Sequence, residues 1–169
     1  MKPQFIYLDG DEERQQLIEQ IHAVREEVIS IAQRVPEPEQ FAPRYRGRSL
    51  AVMLARLVVY DTATLWLIRA ASNGYAVRVS PRLIHTADRI ISWFSQRRII
   101  SSSIGAIRRK ETEITQFVEK VPLEVLSRDV IYPGKKSPYT VEKALQVCFL
   151  HHWQRELALM QQADSVGKV

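Results

Sequence analysis

A chain of 169 residues with 46% hydrophobic and 25% charged side chains and only 6 glycines has the composition of a folded domain, long enough for one sizeable core and too short for two ordinary ones. Its net charge of +5 favours an anionic partner in principle. The basic residues, however, stand in short separate groups (Arg44, Arg46 and Arg48; Arg97 and Arg98; Arg108 to Lys110; Lys135 and Lys136) with no nucleic-acid-binding motif, which argues against DNA or RNA.

Arg56 and Arg69 break the longest apolar runs, so no uninterrupted stretch approaches the ~20 residues of a membrane span. The opening MKPQFIYLDGDEER turns acidic where a secretory signal carries its apolar core. The single cysteine, Cys148, excludes an intrachain disulfide framework and reads as a small buried apolar residue. Together these features predict a cytoplasmic protein of one domain, residues 1–169, with its core at about 11–162.

In chain order, a first helix is predicted from Asp11, as its cap, to about Val35. Glu12 and Glu13 favour the positive end of its dipole, and Leu17, Ile21, Val24, Val28 and Ile31 form an apolar stripe at bundle spacing. Pro36, Pro38 and Pro43 then make a loop. Ser49 caps a second helix through Leu50, Met53, Leu54, Leu57, Leu65 and Ile68, stopped in the left-handed region at Asn73-Gly74. Its broad apolar surface predicts burial on more than one side.

Residues 81–121 read as one long kinked helix or two in series, starting at Ser80-Pro81. The later half carries Ile100, Ile104, Ile107, Ile114, Val118 and Val121, with Glu111 at a stripe position where the bundle should be dry. Pro122 closes it. After a polar connection, Thr140 caps the last helix, whose seam runs Val141, Leu145, Cys148, His152, Arg155, Leu159. With no convincing strand pattern, the chain is predicted to be an all-α four-helix bundle. Trp66, Trp93 and Trp153 read as core or interface aromatics, and His22 and His85 as surface or structural histidines remote from any centre.

Two segments carry a family resemblance. The second helix, SLAVMLARLVVYD, is similar to the helix of DinB-like metal-binding bundles that opens Ser-Val and runs into Leu-x-His-Leu, an aromatic and an acid. The last, YTVEKALQVCFLHHWQRELALM, resembles their Thr-Val helix with its His-x-x-x-His pair, and PLEVLSRDVIYPGKKSPYT looks like their linker. The resemblance covers nearly the whole chain. It implies a fold of DinB-like type, a homodimer formed through the helices, and relatives that act as metal-dependent thiol transferases, isomerases or hydrolases.

In that family a histidine of the second helix and the pair on the last hold a divalent metal. Those positions fall here on Arg56, His151 and Arg155, and a guanidinium has no lone pair to give a metal. Three expectations follow. The leading one is a buried network of Arg56, Asp61, Glu111, His151, His152 and Arg155 filling the place of the metal, in a non-catalytic small-ligand-binding or interaction protein without a cofactor. A second is an altered zinc or nickel site built from His151 with Cys148 and Glu111 or Asp61, in an enzyme. In the third, the arginines and a histidine bind a small carboxylate or phosphate.

Overall fold

The computed structural model describes residues 5–80, 86, 89–90, 93–95, 99–132 and 137–166. Helix α1 (Asp11–Arg34) starts one residue earlier than the sequence suggests, because Gly10, not Asp11, occupies the cap position and makes no side-chain bond. Asp11, Glu12 and Glu13 instead fill the first turn, where their charge meets the helix dipole. A single 3-10 turn, Glu37–Glu39, follows in the proline loop.

Helix α2 (Leu50–Ser72) begins as predicted, with the Ser49 hydroxyl accepting from the Val52 N–H. It ends in a Schellman motif: Gly74 takes φ +82°, Gly74 N–H bonds to Ala71 and Tyr75 N–H to Ala70. By length and a mean hydropathy of 1.6 it is the one described helix apolar enough to cross a membrane, despite Arg56 and Asp61 within it. Sixty-one per cent of that window is buried in the bundle, which accounts for the hydropathy. Trp66 and Val59 stand outside that packing, Trp66 at 55% exposure, and Trp93 is also exposed. Of the tryptophans only Trp153 is core.

Of the long third region, the start at Pro81 and His85 lie outside the described residues. Helix α3 (Ile100–Lys120) carries the expected stripe, with Ile100, Ile107, Ile114 and Val118 buried. It packs on α1 and α2. A short helix α4 (Leu123–Leu126) follows Pro122. Two strands of two residues each then depart from the expectation of none: β1 (Asp129–Val130) pairs antiparallel with β2 (Tyr139–Thr140), Asp129 opposite Thr140. This small clasp brings the connection back beside Thr140, whose hydroxyl caps α5 (Val141–Gln146) by accepting from the Lys143 N–H.

The last helix is not uniform. Between α5 and α6 (His152–Val166) the chain makes a π turn over Val147–His151, closed by a His152 N–H to Val147 carbonyl bond. A π turn inserts about one extra residue into the helical register. Val141, Leu145 and Cys148 are buried as the seam predicts, but beyond the turn the core face passes to Trp153, Leu157 and Met160. His152 and Leu159 are left half-buried and Arg155 exposed. That one-residue step is the correction with the largest consequence for the site.

Two other ties hold the layers. The N-terminal segment lies along α5: Ile6 exchanges both backbone hydrogen bonds with the Gln146 amide at 2.9 and 2.8 Å, and Leu8 N–H donates to Glu142 at 2.7 Å. Buried Arg14 joins α1 to the carbonyls of Leu8, Val118 and Glu119. Gln146→Leu should therefore cost about 1–3 kcal/mol and speed hydrogen exchange at Ile6 and Leu8, with α2 amides unchanged, as read by urea unfolding and amide exchange.

Candidate functional site

Where α1, α2 and α6 meet, the core contains an ion pair. The Arg25 guanidinium donates to Asp61 at 2.8 Å, with side-chain exposures of 0% and 1%. Asp61's second oxygen accepts from the Trp153 indole N–H at 3.0 Å, and the same indole lies under the Arg25 guanidinium at 4.3 Å. Arg25 also donates to the Phe149 carbonyl, inside the π turn, at 2.9 Å, and to its own helix at Ile21. Burial pushes the Asp61 carboxyl above its ordinary range, while Arg25 and the Trp153 N–H pull it back.

One residue towards the surface lies a second cluster. Tyr60 precedes Asp61, and His152 precedes Trp153. Their rings sit 4.0 Å apart at 32°. Arg155 donates to His152 Nδ1 at 3.1 Å, which places the neutral imidazole's proton on Nε2. Burial and then the charges of Arg155 and Arg56 push the His152 pKa down to about 4. Beside it lie Cys148 and Tyr132, whose hydroxyl is 3.3 Å from Thr64. Burial raises the Cys148 thiol to about 11, with both phenols pulling it back, and it raises both phenols. A thiol so placed is neutral at pH 7 and a poor nucleophile.

The predicted network is thus divided by the structure. Asp61 is buried, but its partners are Arg25 and Trp153. Glu111 accepts from His22 Nδ1 at 2.7 Å, so His22, expected to be remote from the site residues, pairs with one of them. Arg56 is half-buried and Arg155 exposed. These two arginines gather around His152, not His151.

His151 instead donates to Gln154 at 3.0 Å and meets the Phe5 ring edge-on at 5.4 Å. Its Nε2 is buried with no hydrogen-bond partner among the described residues. The sequence reading missed Arg25, Tyr60 and Tyr132. Arg25 stands four residues from both Ile21 and Ile29, squarely on the buried face of α1, and that spacing was a usable signal.

No family model matches the sequence, and no curated protein matches it. Solved structures do match in fold. YfiT from Bacillus subtilis, described as a probable metal-dependent hydrolase with an unusual four-helix bundle topology, superposes with a TM-score of 0.79 at 14% identity, covering 98% of this chain and 92% of that one. An uncharacterised protein from Clostridium difficile 630 gives 0.72 at 14% identity over 90% and 96%. A Streptococcus pneumoniae protein gives 0.70 at 14% over 90% and 90%. The chain therefore has the YfiT-like four-helix bundle fold.

The metal in the YfiT description sets a chemical test for the residues here. The orphaned His151 Nε2 is a lone pair that a cation would satisfy. Yet among the described residues no group of three His, Cys, Asp or Glu side chains could hold a metal ion. At the other cluster, the donors Cys148 and His152 are protonated or engaged and stand under two arginines. Among the described residues, the donors at these two clusters do not supply the three free ligands that a divalent cation needs.

Two outcomes follow. Asp61→Leu should lower stability by about 3–5 kcal/mol in urea unfolding because it strands Arg25, whereas Arg25→Met with Asp61→Leu should recover most of the loss. His152 binds a proton later in the folded than in the unfolded state, so its contribution is intact above pH 6.5 and is lost as pH falls towards 4. That loss amounts to roughly 3 kcal/mol, and His152→Gln should flatten this part of the stability profile.

Proposed function

We propose that this chain is a DinB-like bundle protein whose metal centre has given way to a cationic cluster, and that it acts as a non-catalytic binder of a small anion. The observation that carries this reading is the position of Arg155, which donates to His152 Nδ1 at 3.1 Å, with Arg56 adding its charge to that of Arg155 on a ring whose pKa is lowered first by burial. The potential at that ring is therefore positive, which suits an incoming carboxylate or phosphate. The His152 ring is held by Tyr60 on its face and by Arg155 at Nδ1, which leaves Nε2–H to donate to a ligand in a cluster that carries two guanidinium groups, a group suited to oxyanions.

Such a site takes its ligand by charge and hydrogen bonding and offers no activated nucleophile, since the neighbouring thiol and phenols are all held protonated by burial. A homodimer formed through the helices, as in the family the sequence resembles, belongs to the same proposal.

One observation favours a second reading, a metal-dependent hydrolase or thiol transferase with an altered site: the unpartnered His151 Nε2, taken with the YfiT description. Stoichiometric zinc or nickel in protein purified without a histidine tag would support it against the anion reading.

For the anion reading, phosphate or a small carboxylate should raise the thermal midpoint of the wild type. Arg56→Ala and Arg155→Ala should each abolish that rise. An unchanged response in both variants rejects the site.

A further inference from the structure

Net charge and exposed hydrocarbon converge on one stretch of the chain. Residues 75–99 hold five arginines (Arg78, Arg82, Arg89, Arg97 and Arg98) against one carboxylate, Asp88, a net of +4 out of +5 for the whole sequence. The rest of the chain is therefore nearly neutral. Of the eleven large hydrophobic side chains exposed among the described residues, four (Ile90, Trp93, Phe94 and Ile99) fall between positions 90 and 99. Apolar groups gathered in this way mark a surface that meets something other than water.

Residues 89, 90, 93 and 94 are helical, and Ser95 lies in the turn that follows. At about 100° per residue, Ile90, Trp93 and Phe94 share one side of this helix, Arg89 flanks that side, and Ser95 falls roughly opposite. Burial agrees with the geometry: Trp93 and Phe94 are 68% and 72% exposed, and Ser95 only 6%. The Ser95 side faces the protein and the aromatic side faces away from it. There the Trp93 and Phe94 rings meet edge to face at 4.6 Å, which makes them one apolar wedge.

Charge and hydrocarbon together select the partner. A second copy of this face would set arginines against arginines, a like-charge juxtaposition that opposes association. A nucleic acid would match the charge and stack on Trp93 and Phe94, but Ile90 and Ile99 offer a base no π face. A bilayer with anionic lipid meets both demands. Arginines stay at headgroup level with their stems along the apolar side, while tryptophan, phenylalanine and isoleucine enter the acyl boundary.

We propose that this face is a docking surface for an anionic membrane, with Ile90, Trp93, Phe94 and Ile99 as the inserting side chains and the arginines of the same stretch supplying the charge that draws it to the headgroups.

Flotation of the full chain with phosphatidylcholine vesicles, with and without phosphatidylglycerol, tests this. The wild type is expected to float with the mixed vesicles, to bind the neutral ones about tenfold less or weaker still, and to be released by added salt. Trp93→Ser combined with Phe94→Ser should weaken binding by about tenfold or more and leave the thermal midpoint unchanged, since both side chains stand in water. Brominated acyl chains should quench the wild-type tryptophan emission; Trp93→Phe should keep the binding and lose the quenching, and Trp66→Phe should keep both. Arg155→Ala should also leave flotation unchanged, so this claim and the anion reading of the His152 cluster fail separately. The proposal is overturned by no flotation with either vesicle, by equal binding to both, by equal binding of the double variant and the wild type, or by loss of binding in Trp66→Phe or Arg155→Ala. A wild-type dimer that the double variant splits would assign the face to a second copy, and a single-stranded oligonucleotide whose binding is lost in the double variant would assign it to nucleic acid; either result overturns it as well.

Discussion

The structure depends on a charge pair in a place where charge is costly. Arg25 and Asp61 are both withdrawn from water, and an ion removed from water carries a penalty of several kcal/mol that only close geometry and further hydrogen bonds repay. Each partner has those bonds. Asp61 has the Trp153 N–H, and Arg25 has the indole face and the Phe149 carbonyl. Because these partners come from α1, α2, the π turn itself and α6 beyond it, the pair fixes the rotation of the last helix as well as its position.

That rotation decides what the surface above the pair can do. A regular α-helix through 147–151 would turn the His152 face to the core. The π turn turns Trp153 inward instead and leaves His152 against Tyr60, within reach of Arg56 and Arg155. The core pair Asp61 with Trp153 and the outer pair Tyr60 with His152 are consecutive on the same two helices. Packing and site are therefore one piece of geometry: disturbing the buried bond should displace the ring above it. The half-buried histidine is held neutral first by its burial and then by the charges of Arg155 and Arg56.

Much of the fold was legible in the sequence because its signals are local. Apolar periodicity and caps placed α1, α2 and the described part of the third region, and Ser49, Asn73-Gly74 and Thr140 mark real ends. The site was less legible, because the one-residue register step of a π turn leaves no trace in composition or spacing. Projection on a regular helix joined Cys148, His152, Arg155 and Leu159 into one inward seam; only the first is core. Charge gave a partial guide. Asp61 on the α2 seam did signal a buried carboxylate, and the matching signal, Arg25 between Ile21 and Ile29, was there to be paired with it. Glu111 interrupted its stripe for a different reason, the contact with His22 at the edge of the bundle. Tyr132 stands in a connection without periodicity, so nothing in the sequence could bring it to Cys148.

The YfiT-like scaffold carries a histidine with an orphaned nitrogen and, one residue on, a histidine enclosed by cations, and the two make opposite demands on a ligand. The ring nitrogen signals of His151 and His152, followed by NMR during separate additions of phosphate and zinc, distinguish them most directly. The cationic-cluster account predicts that phosphate shifts the His152 ring in a saturable manner and that equimolar zinc leaves both rings unchanged. Zinc shifting His151 and His152 together, with phosphate affecting neither, would contradict it.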